Sequence, residues 1–162
     1  MSTRAKFLGP DDGRHISVLG SGMTVKATAA ETGGAYEVVV AESGPGGDIV
    51  PHRHPWQEAY FVLAGTLEVQ VGRQVHIAET GSFLTIPPRA LHGFRVVGES
   101  ARFLHISMGS GATDLFDEYD ERVPGEPTLD DLPAILEINA RHDIEVQIPQ
   151  EILDLVGAPA PA

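Results

Sequence analysis

From about residue 25 to residue 109 the chain runs in short stretches of alternating apolar and polar residues, and glycine separates most of them. The stretches are VKATAA, AYEVVVAE, QEAYFVLAG, TLEVQVG, QVHIAE, SFLTIP, HGFRVV and RFLHISMG. Their punctuation is Thr32-Gly33-Gly34, Gly44-Pro45-Gly46-Gly47, Gly65, Gly72, Gly81 and Gly98. A period of two belongs to a strand with one buried face, and Gly and Pro mark turns. Many short strands at close, even spacing predict an all-β sandwich or barrel. AGTLEVQVGRQVHI reads as a hairpin, with Leu67, Val69 and Val71 on one face and Glu68 and Gln70 on the other. The chain's 162 residues suit one domain, and its 42% hydrophobic content is enough for a core.

After Gly111 the pattern changes. ATDLFDEYDE predicts a short helix with Thr113 as its N-cap. Thr128 to Arg141 predicts another, with Asp130 and Asp131 near its start, where the helix dipole favours acids. Pro133 is tolerated only in a first turn, which moves the start from Thr128 toward Asp131. Leu132, Ile135 and Leu136 supply that helix with an apolar stripe, predicted to face the β unit. IEVQIP is a short extended piece, APAPA a frayed tail, and residues 1 to about 15 a polar lead-in. The expected division is 1–112 for the β unit with its lead-in and 113–162 for an acidic helical extension.

The net charge is −12, which argues against non-specific binding to nucleic acid or to an anionic membrane. The acid concentrates in DLFDEYDE and LDDLPAILE and reads as a solvated face. No run of about 18 apolar residues is present to span a membrane. The first residues have no apolar secretory core, so a cytoplasmic location is expected. With no cysteine, neither disulfides nor thiolate ligands enter the reading.

The chemistry concentrates in GGDIVPHRHPWQEAYFVLAG. His52, His54, Glu58 and Tyr60 share strand parity, although Pro55 can break the strand between His54 and Glu58. Two imidazoles and a carboxylate on one face are the ligand mix of catalytic zinc and of non-haem iron oxygenases. GSFLTIPPRALHGFRV adds a third imidazole, His92. The expected cofactor is one divalent transition metal (Fe, Mn, Ni, Co or Zn), held by His52, His54, Glu58 and His92 with room left for water or a small-molecule substrate. Trp56, Tyr60 and Phe94 either line a pocket for an aromatic ligand or are core and rim aromatics. Arg53 alternates away from the ligand face. His15, His76, His105 and His142 read as ordinary, with His105 the one to watch because the parity of RFLHISM is open. The glycine-rich loops lack the Lys-Ser/Thr and helix start of a phosphate loop.

Gly46, His52, His54, Glu58 and Gly65 match the first cupin motif, G-x5-H-x-H-x3-E-x6-G, at every position. Gly81, Pro87 and His92 match the second, G-x5-P-x-G-x2-H-x3-N, with Arg89 in place of its glycine and Val96 in place of its asparagine. The chain thus resembles a single-domain cupin over about residues 18 to 108. KATAAETGGAYEVVVAESGPGG, PHRHPWQEAYFVLAGTLEV and the acidic C-terminal part are similar to quercetin-dioxygenase-like cupins. The resemblance implies a jelly-roll β-barrel, the four named ligands inside it, a C-terminal helix over or beside its mouth, and pairing into a homodimer.

Three neutral imidazoles and one carboxylate would leave a divalent ion with a charge of about +1, suited to an enolate or phenolate oxygen and to O2. The expected activity is a metal-dependent dioxygenase acting on a flavonol, an enol or a related aromatic compound, with Glu58 as ligand and base. The alternatives are a non-oxidative cyclase or isomerase of a polyketide-like substrate and a non-catalytic small-molecule-binding protein.

Overall fold

The computed structural model describes residues 5–45 and 47–155, so Gly46 of the first motif and the APAPA tail lie outside the described residues. Its strands are β1 (Arg14–Val18), β2 (Ser21–Ala27), β3 (Tyr36–Ser43), β4 (Ile49–Arg53), β5 (Gln57–Val71), β6 (Gln74–Glu79), β7 (Phe83–Ile86), β8 (His92–Met108) and β9 (Glu145–Val146). The helices are α1 (Ala29–Thr32), α2 (Ala112–Arg122), α3 (Leu132–Arg141) and α4 (Gln150–Leu155). All strand pairs are antiparallel. The order is β1-β2-β3-β8-β4-β9, and β5 joins β8 to β6 and β7, closing a jelly-roll barrel. Among the described residues no helix is long and apolar enough to cross a membrane.

Two pairs of predicted strands are each one long strand. QEAYFVLAG and TLEVQVG fuse into β5, and HGFRVV and RFLHISMG fuse into β8. Both bend around the barrel at register shifts instead of turning back. Gly65 sits at the bend with φ 78°, and a Cβ there would lie 2.2 Å from the Ser100 carbonyl oxygen. Only glycine permits that approach, which accounts for the motif's last position. The predicted hairpin is β5–β6, with Leu67 and Val69 fully buried.

Two apolar clusters fill the molecule. One lies inside the barrel and includes Tyr60, Val62, Leu67, Val69, Ile86 and Phe103. The other joins barrel residues Ile16, Val18, Val25, Val39 and Trp56 to Leu115, Phe116 and Tyr119 of α2, Ile138 of α3 and Ile144. The extension therefore shares a core with the barrel. It also adds β9 to the free edge of β4, pairing Val146 with His52 and Glu145 with Arg53.

One helix expectation needs correction. Thr113 is not the N-cap of α2, because the helix starts at Ala112 after Gly111 at φ 118°. The cap is Glu37, from β3: its buried carboxylate accepts from Ala112 N at 2.9 Å and from the Thr113 hydroxyl. A remote carboxylate thus meets the positive end of the helix. The segment from Thr128 opens as a 3₁₀ turn, Leu129–Asp131, before α3 begins at Leu132 with Pro133 in its first turn. In α3 the deepest apolar residue is Ile138, fully buried, while Leu132 is buried and Ile135 and Leu136 only partly so.

Candidate metal centre

The four candidate ligands come from the neighbourhood of three strands, β4, β5 and β8. His52 lies on β4, His54 just past its end, Glu58 on β5 and His92 at the start of β8. Pro55 does break the strand, so the first motif wraps around the site. His52 and His92 are direct cross-strand partners, with ring centroids 4.3 Å apart. His54 lies 4.7 Å from His92 and 5.5 Å from His52 by the same measure. Gly93 allows this pairing: a Cβ there would sit 2.5 Å from the Ile49 carbonyl oxygen and push β4 off β8. Sequence reading passed over Gly93, and its place directly after His92 was the available signal.

Each of the three rings is fixed through Nδ1 by a nearby carbonyl. His52 pairs with Val50 O at 3.1 Å, His54 with Trp56 O at 2.9 Å and His92 with Ala90 O at 2.8 Å. A carbonyl only accepts, so Nδ1 carries the proton and Nε2 presents a bare lone pair. His54 Nε2 and His92 Nε2 are buried without a hydrogen-bond partner. Buried polar atoms are seldom left so, and lone pairs converging in this way await a cation. The ligand atoms of His52, His54 and His92 lie within 4.8 Å of one another, and these three residues could hold a metal ion.

Glu58 stands beside them. Its Oε1 is 2.8 Å from His92 Nε2 and its Oε2 is 3.0 Å from His54 Nε2. Neighbouring donors on one first-row ion, each at about 2.0–2.2 Å from it, are about 3 Å apart, so the carboxylate fits the same cation. Behind it, the Tyr60 hydroxyl donates to Oε1 at 2.7 Å and His105 Nε2 to Oε2 at 2.7 Å. Burial alone would push the Glu58 carboxyl up, but His105, His54 and His92 together hold it well below the usual carboxylate range. Burial and the Glu58 charge keep the Tyr60 hydroxyl protonated far above its ordinary range. Burial, with His92 alongside, lowers His52 to about 4. For His92 burial acts downward, and the Glu58 charge beside it acts upward and wins, so its pKa is raised.

The aromatic candidates are packed around the centre. Trp56 stacks on His54 at 4.4 Å and belongs to the helix-side cluster. Its Nε1 is a further buried atom without a partner. Tyr60 is committed to Glu58, and Phe94 lies edge-on to Tyr60 and Phe103. Arg53 is exposed, as its parity predicts. It lines a surface cleft with Asn139, Asp143 and Val146, and none of the three histidines lines that cleft. His105 is not an ordinary histidine but a partner of Glu58, a placement that depends on the β5–β8 register. His15 bonds Thr24, and His142 bonds Glu118.

Arg89, where the second motif has glycine, keeps the left-handed conformation at φ 63°. Its N–H donates to His54 O at 2.8 Å. Its guanidinium pairs with Asp143, itself left-handed at φ 59° after α3. The turn that sets His92 is thereby tied to the extension.

A cupin-domain family model matches residues 39–107. Protein SchB of Streptomyces halstedii is 35% identical over 104 residues, which cover 60% of this chain and 74% of SchB. Quercetin 2,3-dioxygenase of Bacillus subtilis (strain 168) is 27% identical over 94 residues, covering 57% of this chain but only 28% of that enzyme. Among solved structures, the polyketide cyclase RemF from Streptomyces resistomycificus superposes with a TM-score of 0.57 at 19% identity, over 65% of this chain and 80% of RemF. That superposition speaks to the fold.

Proposed function

The chain belongs to the cupin family, and from that membership and its buried site we propose a metal-dependent dioxygenase acting on an enol, a flavonol or a related phenolic compound. The observation that carries the reading is the set of bare, buried Nε2 atoms beside a charged carboxylate. A divalent transition ion held by His52, His54, His92 and Glu58 would act as a Lewis acid toward an enol or phenol oxygen and bring O2 to it. Glu58 would take the substrate's hydroxyl proton. It is a weak base while both its oxygens are occupied, and becomes a stronger one as a contact is released to make way for substrate. Tyr60 stays a donor throughout. Trp56 covers His54, and Phe94 and Phe103 pack around Tyr60. Among the described residues no Lys or Arg is buried. A substrate oxygen anion would depend on the ion alone, which suits a delocalised enolate better than a phosphate.

The test is elemental analysis of protein purified without added metal, followed by O2 uptake with flavonols and enols. A redox-active metal and uptake matched to product support the reading. A Glu58→Gln variant that keeps metal yet loses most turnover assigns the base. Turnover equal to wild type would make Glu58 structural.

Dryness favours a second reading. His54, Glu58 and His92 are at most 2% exposed. An enolate shielded from water can close a ring on itself without O2, as in a polyketide cyclase. Rearrangement with no O2 consumed would select it.

A further inference from the structure

Tyr60 and His105 face each other in the β5–β8 register, and both reach the same carboxylate. A carboxylate offers about four lone-pair positions. At Glu58 one on each oxygen is taken from behind, by the Tyr60 hydroxyl on Oε1 and by His105 Nε2 on Oε2. The front of each oxygen faces a bare nitrogen, His92 Nε2 or His54 Nε2. The hydrogen-bond partners give His105 the opposite tautomer to the other three rings. It carries its proton on Nε2, and its Nδ1 looks toward the Ser107 hydroxyl at 3.5 Å. A protonated ring nitrogen cannot bind a metal, so His105 is no fourth imidazole ligand despite lying one carboxylate away. Phe116 of α2 closes against its ring, centroids 5.4 Å apart.

We infer that Tyr60 and His105 are positioning residues that hold both oxygens of Glu58 aimed at the histidine triad, so that the carboxylate is in place before an ion binds. The inference rests on the metal reading above. Partners of this kind around a metal ligand change affinity by about 10–100-fold when removed.

The probe is Co(II), titrated into metal-free wild type, Tyr60→Phe, His105→Leu and His105→Gln. A competing chelator gives the affinity, and visible absorption reports the ligand field. Tyr60→Phe and His105→Leu should each bind about 10–100-fold more weakly with an altered spectrum. His105→Gln, whose amide can still donate, should recover part of both. If His105→Leu does not fold, Tyr60→Phe decides on the same criterion. Wild-type affinity and spectrum in Tyr60→Phe and His105→Leu would overturn the inference while leaving the metal reading intact. Wild-type protein that takes up no Co(II) would overturn both.

Discussion

The two apolar clusters of the molecule are built by different means, and the histidine triad with Glu58 touches both. In the inner cluster the strands close the space themselves, with alternate residues such as Val62, Leu67, Val69 and Phe103 meeting in the middle. In the other, residues of β1, β2 and β3 pack against α2 and α3 through Phe116, Tyr119 and Ile138, with Val123 just past the end of α2. One cluster is built by a local period and the other by docking of a distant segment. Each cluster touches the site through an aromatic ring. Tyr60, from the inner cluster, bonds Glu58, and Trp56, from the helix cluster, stacks on His54. The site's rigidity therefore depends on both kinds of packing.

The largest expected effect comes from cutting between the clusters. His54→Ala removes one bare nitrogen and should abolish metal uptake, read by elemental analysis after dialysis against the ion. Full occupancy in that variant would mean the histidines do not converge on a cation.

Next in size is loss of the helix cluster. Ile138 is fully buried, so Ile138→Ala should cost about 2–5 kcal/mol in urea unfolding. Leu67→Ala in the inner cluster should cost as much, since Leu67 is equally buried. Deleting residues from Thr128 onward should go further, exposing the cluster and the β4 edge and causing aggregation. A truncated protein that stayed soluble and as stable as the full chain would show the helix side to be an appendage instead of half the core.

A smaller effect should appear with pH. The folded-state pKa of His52 is depressed to about 4, so its contribution is complete above its unfolded value near 6.5 and is lost as pH falls toward 4. His92 is raised, so its contribution is already complete below 6.5 and does not offset that loss. Glu58, held low, adds its own loss only below the usual carboxylate range. Metal-free protein should therefore weaken from pH 6.5 to 4.5 with a slope of at most about 1.4 kcal/mol per pH unit for the one proton. Urea midpoints at the two pH values measure it, and His52→Ala should flatten the slope. An unchanged slope in that variant would place the titrating group elsewhere.

The smallest effect should come from Arg89→Gly. Glycine relieves the left-handed backbone but gives up the exposed pairing with Asp143, and the two changes oppose each other. The melting temperature and Co(II) affinity should both stay near wild type. A marked fall in affinity would show that the tie to the extension sets His92.

Much of this molecule could be read without coordinates. Alternation in TLEVQVG located the first strand of the hairpin and its buried face, because a strand's period is local, whereas QVHIAE pairs with it as β6 but leaves its apolar Val75 and Ile77 exposed. The spacing of His52, His54, Glu58 and His92 located the histidine triad and its carboxylate. The C-terminal change of pattern located α2 and α3, though not the short α4, and Pro133 placed the start of α3. What proved illegible depended on residues far apart in the chain. Glu37 caps a helix 75 positions later, and His105 reaches Glu58 across 47. Ile138, not Leu136, lies deepest, because the angle at which α3 docks selects the buried face. Trp56, Tyr60 and Phe94 stood out as aromatics close to the histidine motifs, but not which of them stacks, bonds or packs. The sequence by itself determined most of the barrel strands and, through its two motifs, which three histidines and which carboxylate come together, since period and motif spacing are written along the backbone. Only the tertiary structure decided which groups stand behind Glu58 and which segment packs against β1, β2 and β3, since strand register and helix docking are set by the whole core at once.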